Sequence, residues 1–218
     1  MRKIIRNSFF LFVLFSFSLK SQNKIVDYQL WNRIELKYKL DKKSFFSYQT
    51  GIRYVDNGSF KKRTFNDYNI KFQHHKTVSY NLGYRHIINK DISDFDLEKR
   101  HRIYVSFNLK KKISKKSILY SRTRFQKEKS LSNYEHTLRQ KFKCSLVFKK
   151  LKMNYINSCE FFLDMNFLVE KIRLSSGLSK KINKKIDVDL SYIYENKSDF
   201  DILSSFHILR TKLTYSLN

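Results

Sequence analysis

Hydrophobic and polar residues alternate along most of this chain. In the segment WNRIELKYKLDKKSFFSYQTGIRYV, residues 31–55, apolar residues fall on every second position, DKK at residues 41–43 interrupts them, and the alternation then resumes. Side chains of a β-strand point alternately to opposite faces of the sheet. The segment therefore predicts a hairpin of two amphipathic strands joined by a short turn.

The same alternation recurs through the rest of the chain and predicts eleven strands and no amphipathic helix. Many of these strands hold the pattern for about 9 to 13 residues, enough for a tilted strand to cross the hydrocarbon layer of a membrane. The pattern fits either a soluble barrel with its apolar face inside or a membrane barrel with that face toward lipid. We favour the second and predict an all-β, antiparallel, up-and-down transmembrane β-barrel of about 10 to 12 strands.

The predicted connections between strands alternate in length. Short, lysine-rich turns, such as DKK at 41–43 and KKINKK at 180–185, alternate with longer polar segments, such as residues 89–99 and 127–136. Outer-membrane barrels show this arrangement, with short periplasmic turns and longer external loops. Eleven strands would, however, leave the two ends of the wall at opposite rims, whereas bacterial barrels normally have an even number of strands. The exact strand count is therefore left open.

The first residues have the features of a secretory signal peptide. A basic start is followed by an apolar run at residues 9–19, and small or modest residues suit cleavage between Ser21 and Gln22. The apolar run is too short for a membrane-spanning helix. We predict a signal peptide at residues 1–21 and a single outer-membrane β-barrel domain at residues 22–218.

The chain is strongly basic. It has 45 Lys and Arg against 19 Asp and Glu, a formal charge of +26, which suggests nucleic acid, an anionic membrane surface or an acidic ligand as a partner. The chain also lacks proline, has only four glycines and is rich in Lys, Asn, Ile and Phe, so a coding sequence poor in G and C explains part of the lysine excess. We find no zinc-finger spacing, RNP-like segment or basic helix, and we predict no nucleic-acid partner.

If the apolar faces contact lipid, the polar faces line the interior of the barrel. The candidate lumen-lining residues are Arg33, Glu35, Lys37, Arg53, Lys71, Arg85, Arg102, Arg122, Arg124, Arg139, Lys141, Glu160, Arg173, Asp187, Asp189 and Arg210. In the interpretation that we favour, ion pairs largely fill the lumen and the protein is a structural or interaction barrel. In the alternative, water fills the lumen and the protein is a narrow channel or uptake protein that prefers small anions.

Cys144 and Cys159 fall on neighbouring predicted strands, on the apolar face, and the expected register makes them close cross-strand neighbours. Export to an oxidising compartment permits a disulfide between them. A bridge within a hairpin requires specific geometry, so we favour two free thiols and leave the disulfide as the alternative.

The histidines give little support to an enzyme. His74 and His75 are adjacent and would point to opposite faces of a strand, which makes them a poor metal chelate. His101 stands beside an acidic loop at residues 91–98, the nearest approach to the site of an outer-membrane hydrolase. We keep a hydrolase as a second alternative and predict no catalytic residue, no metal site and no cofactor.

Five segments carry a resemblance to a known family. They are DYQLWNRIELKYKLDKK at 27–43, YNLGYRHI at 80–87, RHRIYVSFNLKKKI at 100–113, CEFF at 159–162 and LSYIYE at 190–195. In these segments the chain resembles domain-of-unknown-function family 2490, a group of predicted outer-membrane barrel proteins of Gram-negative bacteria. The resemblance implies a location in the bacterial outer membrane, with membrane lipid and the barrel-assembly machinery as partners. It brings no established activity and leaves the oligomeric state open.

Overall fold

A computed structural model describes residues 24–93, 95–131, 133–199 and 202–217. These residues form eleven strands that close into one barrel, which confirms the all-β barrel prediction. The strands are β1 (Lys24–Lys39), β2 (Ser44–Val55), β3 (Phe60–Gln73), β4 (Val78–Lys90), β5 (Leu97–Lys112), β6 (Ser117–Lys129), β7 (Tyr134–Phe148), β8 (Met153–Leu163), β9 (Val169–Lys181), β10 (Ile186–Asp199) and β11 (Ile202–Ser216). A short 3₁₀ turn, Lys149–Leu151, joins β7 to β8. The predicted signal peptide, residues 1–21, lies outside the described residues.

The barrel closes between its first and last strands. Strands that are consecutive in the chain pair antiparallel, but β1 and β11 pair parallel, from Lys24 opposite Leu203 to Lys37 opposite Ser216. The prediction of a wholly antiparallel barrel is therefore wrong at this one seam. With eleven alternating strands, the first and the last run in the same direction, so only a parallel pair closes the wall.

The outer wall of the barrel is apolar. Side chains such as Ile34, Leu82 and Val105 alternate outward and remain half exposed, at 50%, 52% and 52%. Soluble monomers rarely expose contiguous apolar patches of more than a few hundred Å². The strands, 11 to 16 residues long, also reach or exceed the roughly 9 to 11 residues that a membrane-spanning strand needs. None of the described residues forms a helix long and apolar enough to cross a bilayer.

The connections differ from the predicted ones in length. The predicted long loops are shortened, because β6 continues to Lys129 and pairs with β5, and β3 already begins at Phe60. The lysine rim, as we call it, comprises the four-residue connections 40–43, 74–77, 113–116, 149–152 and 182–185, and the acidic rim comprises connections 56–59, 91–96, 130–133 and 164–168. The predicted contrast in length is thus much reduced, to four to six residues against four, since charged residues that suggested loops occupy strand ends.

The two rims differ more in charge than in length. The connections of the lysine rim contain ten lysines and one carboxylate, Asp41, whereas the described residues of the acidic rim contain carboxylates and no lysine. The connections at one end of the barrel are therefore basic, and the described connections at the other end are acidic.

Three turns of the lysine rim share one hydrogen-bond pattern. Asp41 Oδ1 accepts from the backbone N–H groups of Lys43 and Ser44 at 2.6 and 2.8 Å. Asn183 and Ser114 accept in the same way from the residues two and three positions later. This is why DKK, SKK and NKK recur: a short polar side chain caps the turn and two lysines follow. The backbone donor of Lys43 contributes most to holding the pKa of Asp41 below its usual range.

Candidate functional site: the basic interior of the barrel

The inward faces of the strands enclose two polar cavities. The central cavity has a volume of about 750 Å³, and the described part of its wall carries sixteen basic and seven acidic side chains. The second cavity, about 850 Å³, lies toward the lysine rim, and no carboxylate stands among the described residues that line it. Both cavities are lined by Asn81, Arg122, Lys141 and Lys143, so they adjoin.

The structure places the predicted lumen-lining residues as follows. The wall of the central cavity includes Arg33, Glu35, Arg53, Arg85, Arg102, Arg122, Arg124, Arg139, Lys141, Glu160, Arg173, Asp189 and Arg210. Lys71 lines the second cavity. Lys37 and Asp187 lie nearer the lysine rim, where Lys37 Nζ is 3.3 Å from Glu35 Oε2 and Asp187 stands opposite Thr214.

The most buried carboxylate forms what we call the Glu160 cluster. Glu160 is 1% exposed, and its carboxylate lies 2.7 Å from Arg122 and from Arg139, 3.7 Å from Arg173 and 3.9 Å from Lys141. The register of the sheet explains this, because Lys141 and Arg173 stand directly opposite Glu160 on the two neighbouring strands. A buried charge needs such partners, since its desolvation costs several kcal/mol.

Other carboxylates of the interior are also paired. Asp67 accepts from the Arg85 guanidinium and, at 2.6 Å, from the Tyr104 hydroxyl. Further pairs are Glu128 with Arg100 and Arg102, Glu195 with Lys171 and Arg173, and Glu35 with Lys37 and Lys212. Apart from Glu35 with Lys37, which lie on one strand, these ion pairs join neighbouring strands.

Two arginines, Arg33 and Arg53, differ from the rest, and we call them the unpaired arginines. Within the described residues, neither has a carboxylate or a hydrogen-bond acceptor, and the Nε atom of each is buried without a partner. Both rest on aromatic rings. Arg53 Cζ lies 3.9 Å from the centre of the Trp31 ring, and Arg33 Cζ lies 5.6 Å from Trp31 and 5.7 Å from Phe65. They are held by cation–π contacts.

Apolar side chains also occupy the middle of the barrel, which the sequence analysis did not anticipate. Trp31 packs against Ile193 and Ile208, and all three are at most 2% exposed. The other inward apolar side chains with little exposure are Phe65, Ile87, Tyr104 and Phe162. The alternation of each strand could have predicted their inward direction, because each of these residues is an even number of positions from the inward charged residues of its own strand. They narrow the interior at mid-height.

Two of these rings fit over glycines. Gly51 stands opposite Phe65, and Gly83 stands opposite Tyr104. A Cβ atom at Gly51 would lie 2.5 Å from Phe65 Cζ, and one at Gly83 would clash with the Tyr104 ring. The glycines therefore let both rings lie flat against the inner wall.

Cys144 and Cys159 are free thiols on the outer face, beside an apolar groove of about 500 Å³. Cys144 stands opposite Asn157 and Cys159 opposite Phe142. The two cysteines are therefore diagonal neighbours on adjacent strands, two positions apart along the pair. A disulfide between them remains an untested alternative.

His101 also lies on the outer face. Its Nδ1 is 2.7 Å from the Tyr84 hydroxyl, and its ring is 5.2 Å from that of His86. Asp91 of the nearby connection accepts hydrogen bonds from the backbone and hydroxyl of Ser93 instead, while Asp94 lies outside the described residues. The arrangement does not bring a serine or a carboxylate to His101 within the part of the chain that the structure describes.

The fold and the site together define a class of protein, a closed β-barrel with an apolar outer wall and a charged interior. The chain belongs to the family described as "Protein of unknown function (DUF2490)", which matches residues 28–202, so the suspected family is confirmed.

Solved structures show the same kind of barrel. A "Bacterial polysaccharide outer membrane secretin" is 12% identical over 79% of this chain and 64% of its own, with a TM-score of 0.52, so this chain spans less than two thirds of it. A "KdgM porin" is 9% identical over 78% of this chain and 89% of its own, with a TM-score of 0.50. At these identities the likeness is one of fold. No curated protein matches the chain.

Proposed function

We propose that this protein is a bacterial outer-membrane barrel that acts as a narrow, anion-preferring channel or uptake protein. The observation that carries the proposal is the excess of basic side chains around two adjoining cavities, including two arginines that have neither a carboxylate partner nor a hydrogen-bond acceptor among the described residues. A water-filled interior with this excess has a positive potential, which concentrates anions and repels cations.

The outer wall supports the membrane location. Its apolar side chains suit the hydrocarbon layer, and the signal peptide predicted at residues 1–21 would direct the chain to export. The lysine rim suits lipid as a partner, because each lysine near an anionic headgroup layer contributes about 1 kcal/mol of attraction.

The mid-height packing limits the size of a permeating solute. Trp31, Phe65 and Phe162 occupy part of the interior of an eleven-stranded barrel, which is already narrower than the barrels of roughly 16 to 18 strands in large porins. We therefore propose small anions rather than large polymers as solutes.

Planar-bilayer recording of the purified, folded protein tests the proposal. We expect discrete conductance steps and, under a KCl gradient, a reversal potential close to the equilibrium potential of chloride. A reversal potential on the potassium side, or a silent bilayer with correctly folded protein, would contradict the channel.

A structural or interaction barrel is the second candidate, and the Glu160 cluster favours it. Interior ion pairs and mid-height aromatic packing both hold the wall together and reduce free volume. The same recordings decide between the candidates, because a shut barrel gives no steps although the protein shows the heat-modifiable gel mobility of a folded barrel.

A further inference from the structure

The interior contains positive charge that the protein itself leaves unneutralised. Arg33 and Arg53 make no ion pair and no hydrogen bond within the described residues, and each has a buried Nε atom without an acceptor. Buried polar atoms in folded proteins are nearly always hydrogen-bonded to protein or to ordered water. The two arginines therefore present several donors toward the central cavity, whose wall they share.

Neighbouring basic groups add to the positive potential around these two arginines. Charged groups around Arg33 include Arg85, Arg173 and Arg210, and the nearby carboxylate of Asp67 is already engaged by Arg85 and Tyr104. Arg53 also has basic neighbours, among them Arg63 and Arg173. A bound anion would thus meet several cations, and the Asp67 carboxylate beside them already has its partners.

The first three strands build the position. Arg53 stands opposite Trp31, and Arg33 stands opposite Gly51, which in turn stands opposite Phe65. Because Gly51 has no side chain, the Phe65 ring lies over it and comes within 6 Å of both guanidinium carbons. The rings support the apolar faces of the guanidinium groups and leave their N–H edges for a ligand.

We propose that Arg33 and Arg53, beside Trp31, form a binding site for an oxyanion group, a carboxylate or a phosphate carried by a solute inside the barrel. This inference rests on the proposed function and adds to it a discrete site and a ligand class. The planar guanidinium fork matches the two oxygens of a carboxylate or phosphate, a geometry that chloride does not offer.

The single tryptophan of the chain allows a direct test. Trp31 is 2% exposed, and Arg53 lies against its ring, so a ligand that draws the guanidinium away changes the environment of the indole. The folded protein in detergent is titrated with sodium succinate, with sodium phosphate and with sodium chloride at matched ionic strength, while Trp31 emission is recorded. We expect a saturable change with at least one oxyanion that chloride does not reproduce.

Variants locate the site. We expect Arg33→Gln and Arg53→Gln to weaken oxyanion binding by about tenfold or more, since a hydrogen bond to a charged group is lost. Arg53→Lys keeps the charge but not the fork, and its affinity should fall as well. Lys184→Gln, on the lysine rim, removes one positive charge outside the interior and should leave the titration unchanged. Heat-modifiable gel mobility shows which variants are folded, and calorimetric titration of folded wild type and variants gives affinities that do not depend on emission.

The outcomes separate the site from the channel. Linear drift of the emission, or equal responses to chloride and oxyanions, means ionic screening only and overturns the site even if the bilayer shows anion steps. A saturable oxyanion response that Arg33→Gln and Arg53→Gln do not weaken also overturns it. Saturable binding that both variants weaken supports the site even if no conductance is seen. Succinate without phosphate, or the reverse, identifies which oxyanion the site takes.

Discussion

The Glu160 cluster and the unpaired arginines lie in the same barrel interior, but the first has its charges paired and the second does not. Glu160 is surrounded by four basic groups within 4 Å, whereas Arg33 and Arg53 have aromatic rings in place of carboxylates. Arginines of both regions line the central cavity. A position in the wall of the lumen therefore does not by itself define the role of an arginine. Charge balance distinguishes arginines that hold strands together from arginines that remain available to a ligand.

Glu160→Gln should have the largest effect on stability. The change removes the shared counter-charge of Arg122, Arg139, Lys141 and Arg173 and leaves these cations close together. Breaking a buried ion pair on one side typically costs about 3–5 kcal/mol. Urea unfolding in detergent micelles, followed by Trp31 emission, measures the loss. A variant as stable as wild type would show that the Glu160 cluster does not stabilise the barrel.

Gly51→Ala should have the next largest effect on stability. The added methyl group collides with the Phe65 ring, on which Arg33 rests, and overpacking of this kind costs about 1–3 kcal/mol. Unfolding in urea gives the magnitude, and the double change Gly51→Ala with Phe65→Leu should recover part of it because the ring is gone. If the double variant is no more stable than Gly51→Ala, the clash is not the cause.

Arg33→Gln and Arg53→Gln should change stability little. Each loses cation–π contacts but also relieves an uncompensated buried charge, so we expect a net change within about 1 kcal/mol in either direction. In the bilayer their anion preference should fall. A loss of stability as large as that of Glu160→Gln would mean that Arg33 and Arg53 also hold the barrel together and are not available to a ligand.

Asp41→Asn, on the lysine rim, should have the smallest effect and shows how an exposed charge behaves. The pKa of Asp41 is lowered by its turn hydrogen bonds, so its contribution to stability is fully present above the ordinary carboxyl pKa and is lost as pH falls through the lower, folded pKa. Wild type should therefore lose its advantage over Asp41→Asn only in the acid range. Unfolding midpoints measured from about pH 2 to 7 test this. Lys42→Gln serves as the control and should leave the pH profile parallel to that of wild type.

The alternation of the sequence predicted much of the barrel because it records, residue by residue, which side chains face lipid. Ile34 and Leu36 point outward and Arg33 and Glu35 point inward, as period-2 alternation requires. Strand ends were harder to predict, because Lys127–Lys129 has no apolar alternation and yet pairs with β5. There the ion pair of Glu128 with Arg102, and not hydrophobicity, accompanies the continued pairing.

The site was predictable only in outline. Strand parity placed Arg33 and Arg53 on the inner face, but whether a cation has a partner depends on register between strands and on side-chain reach. Glu128 falls in a segment for which the sequence predicts a loop, and the predicted lining of the interior does not include Trp31. Sequence alternation therefore predicts which strand residues face the lumen. Which of their charges are paired follows only from the closed structure.

The parallel seam between β1 and β11 has a consequence for protein engineering. The first strand starts at the acidic rim and the last strand ends at the lysine rim, so the two ends of the wall are separated by the full height of the barrel. Fourteen paired residues at roughly 3.3 Å each correspond to about 45 Å along the seam. In an even-stranded barrel a short loop would join the two ends and allow circular permutation. Here the joining segment would have to run the length of the molecule, through lipid or through the cavity, so the order of strands along the chain is fixed by the geometry of closure.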